Sequence, residues 1–264
     1  MALPEPEPQW PRPRPHRSPS QRFHHPAFAD ETADDIIHLP DLRQHPLGQR
    51  PEPQSMMPVV ILLFLSFCAS LWSWNNASDF HLAATQELVF QKGQYWRLFT
   101  TLLVHADIAH LLANSGLFLI FGLFLRNYFG IWAFPGLSLV GGILTGALAL
   151  LTYPPQVKLI GASGMVYFMV ALWLPLFFRY ADYLSWTHRW MRAIAFALVV
   201  LVPTQFEPQV SYRTHAIGFA LGLFFGWLSG PWMKPVTAST IQRREVDEED
   251  FPINPVDREE DLLP

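Results

Sequence analysis

Charge is scarce in this chain and cysteine nearly absent. Lys, Arg, Asp and Glu make up 15% of 264 residues, where a soluble protein carries about 25%. So little charge argues against a water-facing surface over most of the chain. The single cysteine, Cys68, excludes an intramolecular disulfide. No apolar run precedes Met56, so the N-terminus does not read as a signal peptide. No repeat of solenoid length is visible. The net charge of −4 mostly reflects an acidic C-terminal stretch and says little about a partner. Nothing points to nucleic acid.

What the chain has in abundance is hydrophobicity, 50% of residues, and it is unevenly spread. Residues 1–55 are rich in Pro, Arg, His and Gln without an amphipathic period. Residues 234–264 are acidic, as in EVDEEDF. Both read as disordered tails, with His16, His24, His25, His38 and His45 simply solvated. Between them, 56–233 reads as one membrane domain. A bilayer core about 30 Å thick needs roughly 20 apolar helical residues. Six runs are candidates: 56–74, 108–125, 131–153, 162–178, about 189–204 and about 213–230. The fifth is the weakest, with Arg192 near its start. Segment 75–107, interrupted by Lys92 and Arg97, reads as interfacial or partly re-entrant. The expected fold is therefore an all-α, six-transmembrane-helix bundle with a long interfacial loop between helices 1 and 2. Arg43, Arg50, Arg126, Arg179, Arg189, Arg192 and Lys234 flank spans on the side of the tails and Lys92, Arg97, Lys158 and Arg213 on the other, a positive-inside bias that favours both termini in the cytoplasm.

Ionisable groups inside a bilayer cost roughly 2.5–3.5 kcal/mol each on insertion scales, so those present carry information. The second span opens with HADIAHLLAN, holding His105, His110 and Asn114. His110 and Asn114 are one helical turn apart and share a face. GASG, with Ser163 between two small neighbours, opens the fourth span, and His215 lies near the start of the sixth. The expected topology brings all of them to the non-cytoplasmic side. A serine hydrolase could use such a set: a histidine base activates the hydroxyl, and His, Asn or backbone N–H groups receive the oxyanion. Plainer readings exist. GASG by itself is a small-residue packing patch, as is the four-residue repeat of Gly218, Gly222 and Gly226. A lone intramembrane histidine can be hydrogen-bonded to a neighbouring helix. His105 and His110 lack the one-face spacing of a helical zinc pair, and the only close carboxylate is Asp107.

Together the motifs resemble the rhomboid family of intramembrane serine proteases. The order is WR at 96–97, HADIAHLLAN at 105–114, GASG at 161–164 and HAIGFALG at 215–222; the resemblance covers about residues 56–232 and neither tail. It implies Ser163 as nucleophile and His215 as general base of a two-residue dyad. It implies His110, Asn114 and the Ser163 N–H as the oxyanion hole, and Tyr167 as a wall packed on the His215 ring. It gives His105 a structural role. Gly161 and Gly164 would let the backbone approach closely, and Gly218 and Gly222 would let the sixth helix meet the fourth. The substrates implied are single-span transmembrane proteins cut within or near a bilayer, the cell (inner) membrane being the expected one. No metal or cofactor is implied. Arg213-Thr214 before His215 departs from the family's small residues and adds charge at the mouth of the site. Two other classes stay open: a catalytically silent membrane chaperone or trafficking factor of the same fold, and a small transporter or proton relay built on the same histidines.

Overall fold

A long apolar segment away from water must satisfy its own backbone hydrogen bonds, and a helix does so within the segment. The computed structural model describes residues 45–48, 53–76, 79–201 and 211–236, all within the unit Pro40–Pro264. It is mostly helical, with no strand among the described residues; an isolated antiparallel bridge joins Ala84 and Leu159. The expectations for tails 1–55 and 234–264 fall mainly outside the described residues. Where they overlap, His45 differs from the sequence reading. Its Nε2 lies 2.7 Å from Asp182 Oδ1 and its ring 4.4 Å from that of Tyr183, so it is bound rather than solvated.

Helix α1 runs Pro53–Asn75. Short helices α2 (Asp79–Leu82) and α3 (Arg97–Thr100) follow, with a π-turn at Glu87–Gln91 between them. Then come α4 (Ile108–Ile131), α5 (Ser138–Leu151), α6 (Ser163–Tyr180), α7 (Trp186–Leu201) and α8 (Tyr212–Ser229). Among the described residues, three stretches are long and apolar enough to cross a bilayer: Met56–Asn75, Ile108–Leu151 and Ser163–Tyr180. The second joins α4 and α5 across a break. There Gly130 takes φ 75°, a left-handed conformation open to glycine, and Phe134 is extended before Pro135. The third span expected at 131–153 thus starts later as regular helix, at Ser138. Helix α7 begins three residues before the sequence suggests, and its described part runs 16 residues to Leu201.

Segment 79–107 is held by hydrogen bonds rather than by one long helix. Arg97 is buried, and its Nη1 donates to His81 O at 3.0 Å and Ala83 O at 2.8 Å. Thr100 Oγ1 donates to Leu82 O at 2.9 Å. A buried guanidinium needs such acceptors, because an unpaired charge away from water is costly.

Helix α6 is the centre of the bundle. Val166, Phe168, Met169, Val170, Ala171 and Leu172 are all buried, touched by α4, α5 and α8 in turn. Phe118, Phe121 and Leu125 of α4 complete the core with them. The outside is apolar too: Phe64 is 63% exposed, Trp227 73% and Trp132 80%. Aromatic surface on that scale fits hydrocarbon and membrane interface, not water.

Candidate active site

The GASG turn is fixed before the helix begins. Gly161 has φ 106°, and a Cβ there would also sit 2.8 Å from His110 Cε1, so both backbone and space demand glycine. Its N–H donates to Thr101 O at 2.9 Å. Thr101 Oγ1 donates to Leu159 O, and Leu159 is paired with Ala84 in both directions. The next N–H, of Ala162, donates to His105 Nε2 at 3.3 Å. Ala162 is the N-cap of α6 and has no side-chain acceptor to offer. The N–H groups of Ser163, Gly164 and Met165 therefore lack carbonyls one turn back, as at any helix start. Ser163 stands at the positive end of the helix dipole, half-buried.

His105 holds this turn from behind and does not face the cavity. It is 2% exposed. Because Nε2 accepts from Ala162, the ring proton is assigned to Nδ1, which lies 3.4 Å from Ser66 Oγ and 3.5 Å from Ser70 Oγ of α1. Trp74 Nε1 donates to His105 O at 2.8 Å.

Helix α4 starts at a true cap. Asp107 accepts the His110 N–H at 2.8 Å, the N-cap arrangement of an aspartate. Sequence reading weighed Asp107 only as a possible metal ligand, although Asp before an apolar helical run is itself a cap signal. One turn on, Asn114 Nδ2 donates to His110 O at 2.8 Å. That uses one of its two amide hydrogens and leaves the other.

Helices α6 and α8 meet at glycines. A Cβ at Gly218 would strike Gly164 O, and one at Gly222 would strike Phe168 O and lie 2.7 Å from Ala171 Cβ. One at Gly164 would lie 2.7 Å from Thr214 Cγ2 and 2.9 Å from Thr145 Cγ2. Thr145, fully buried with its hydroxyl on Gly141 O at 2.7 Å, sits where α5, α6 and α8 converge. Sequence reading missed Thr145, since a threonine in an apolar run carries no signal of its neighbours. This seam brings His215 of α8 beside Tyr167 of α6. Their rings stack face to face, centroids 4.1 Å apart and 9° from parallel.

The outcome is one cavity of about 640 Å³ whose wall includes His110, Asn114, Gly161, Ser163, Tyr167 and His215. The structure thus gathers these six sequence-predicted residues around one space. Gly164, Gly218 and Gly222 lie in the seam behind it, and His105 behind the GASG turn. A hydroxyl, an imidazole and several N–H donors around one cavity are the parts of a nucleophilic acyl-transfer site.

Comparison with known proteins points to one family. The Rhomboid domain profile matches residues 92–232. RHOMBOID-like protein 5 of Arabidopsis thaliana is 24% identical over 153 residues, 56% of this chain and 48% of its own length. Rhomboid-related protein 1 of Caenorhabditis elegans is 27% identical over 151 residues, 52% of this chain and 40% of its own. A Bacillus subtilis (strain 168) protein, YdcA, whose name assigns it provisionally to the rhomboid proteases, is 24% identical over 179 residues. That match takes in 64% of this chain and 87% of YdcA. The chain spans less than half the length of the first two relatives.

Proposed function

The chain belongs to the rhomboid family, and from that premise we propose that it is an intramembrane serine endopeptidase acting through Ser163 and His215. The observation that carries this reading is the cavity shared by both residues, with His215 stacked on Tyr167. A stacked ring has little freedom to turn, which favours a base already oriented before substrate arrives.

In the proposed reaction, Ser163 Oγ bonds to the scissile carbonyl carbon while its proton passes to His215. The carbonyl oxygen becomes an oxyanion held by His110, the remaining Asn114 N–H and the Ser163 N–H. Collapse breaks the C–N bond, and His215 gives its proton to the leaving amine. Water then attacks the acyl-enzyme ester, passing its proton to His215. Ser163 leaves with that proton restored, and the carboxylic product departs. No third acidic residue and no metal enters the scheme.

The same reading makes α1, α4, α5, α6, α7 and α8 six spans, with both ends of the bundle in the cytoplasm and segment 75–107 interfacial or partly re-entrant. The cavity would then open on the opposite side and supply water inside an apolar body, where non-helical backbone is tolerated. A bond must be extended to be attacked, so substrates would be single-span proteins whose helix unwinds readily near the cut. Purified wild type is expected to cut a model transmembrane substrate and Ser163→Ala to leave it intact. Equal cleavage by both would remove the proposal. A silent relative of this fold would leave the substrate whole in either case.

A further inference from the structure

The first turn of α8 carries the proposed base, and it is fastened in an unusual way. Ser211 is the N-cap, yet its side chain caps nothing. Its Oγ instead lies 2.7 Å from Tyr153 Oη and is hydrogen-bonded on its other side to Thr214 Oγ1. A serine at this position usually accepts a backbone N–H of its own helix. Here the hydroxyl links two helices. Tyr153 follows α5, so the chain Tyr153–Ser211–Thr214 ties the end of α5 to the start of α8.

Arg213 makes the tie double. Its Nη1 donates to Thr152 O at 2.8 Å, and its guanidinium lies 5.1 Å from the centre of the Tyr153 ring. Both contacts land on the two residues that follow α5. Thr214, 4% exposed, in turn presses its methyl toward Gly164, beside Ser163. His215 is the next residue. Three consecutive side-chain positions, 213 to 215, are thereby committed to α5, to Gly164 and to Tyr167.

We propose that Tyr153, Ser211 and Arg213 form a latch that sets the position of His215 over Ser163. They are positioning residues, acting through the α8 backbone, and the inference rests on the dyad reading above. Arg213, although exposed, gives its guanidinium to a carbonyl and a ring at the end of α5. Tyr167 stacks on the imidazole and sets its plane, with Tyr212 edge-on to it at 6.2 Å between centroids. The latch sets where in that plane the ring sits, because it fixes the turn of α8 that carries it.

The test uses the full-length protein in detergent. Tyr153→Phe keeps the ring under Arg213 and removes only the hydroxyl. Ser211→Ala breaks the same chain from the other side, and Ser211→Thr restores an oxygen there. Fluorophosphonate labelling rate at Ser163 and kcat against KM on a model transmembrane substrate are read together with the melting temperature. Tyr153→Phe and Ser211→Ala should each lower labelling rate and kcat on the order of tenfold with KM unchanged, as expected of a displaced catalytic group. Ser211→Thr should recover the rate. The double variant should lose little more than either single one, because both cut one chain. Wild-type rates per folded molecule in both single variants would overturn the latch while leaving the dyad intact. A wild type that does not label would remove the dyad, and the latch with it.

Discussion

His215→Ala is expected to lose cleavage of a transmembrane substrate by on the order of 10³-fold or more, with the fold retained. The imidazole half-lines the cavity and is not part of the buried core, so its removal leaves α8 seated on α6 through Gly218 and Gly222. Without a base the Ser163 hydroxyl remains a weak nucleophile. Tyr167 would lose its stacked partner, at about 1 kcal/mol for an aromatic pair. The measurement is cleavage rate beside melting temperature. A variant that melts like wild type and still cuts at more than a few per cent of its rate would exclude His215 as the base.

The second large effect falls on the seam. Gly222→Leu should separate α8 from α6, because even a first carbon at that position meets Phe168 O and Ala171. Backbone cannot swing aside as a flexible side chain does. The cost should reach or exceed the upper end of the ~1–3 kcal/mol typical of overpacking. Activity should suffer more than stability, since a displacement of about 1 Å at a catalytic group costs on the order of 10²-fold. Gly116→Ala is the control: nothing lies within 4 Å of its added carbon. Melting temperature and labelling rate for the two variants give the answer. Similar values for both would mean that the close approach of α6 and α8 is not what holds the site.

Much of the site was legible because polar groups are conspicuous in a membrane sequence. His110, Asn114, Ser163 and His215 stood out against apolar neighbours, and their cost there demanded a reason. The glycines of α8 were legible as packing, and packing is what their contacts show. Other features were hidden for physical causes. Thr145 and Thr214 look like ordinary half-apolar residues until three helices are seen to meet at their methyls. Ser66 and Ser70 lie in an apolar run and gave no hint that they face His105 across the bundle. The break between α4 and α5 carried its own signals in Gly130 and Pro135, but hydrophobicity runs straight through it, so composition alone drew one span too early. The latch was half visible: Arg213 was noticed as an added charge, and its acceptor, Thr152 O, is a backbone group no sequence can assign.

An activated serine distinguishes this account from every rival reading of the same residues. The most direct measurement is to treat the purified protein with a fluorophosphonate probe and locate the adduct by mass spectrometry. One adduct is expected, on Ser163, and it is lost in His215→Ala. No adduct on Ser163, or equal labelling with and without His215, would contradict it.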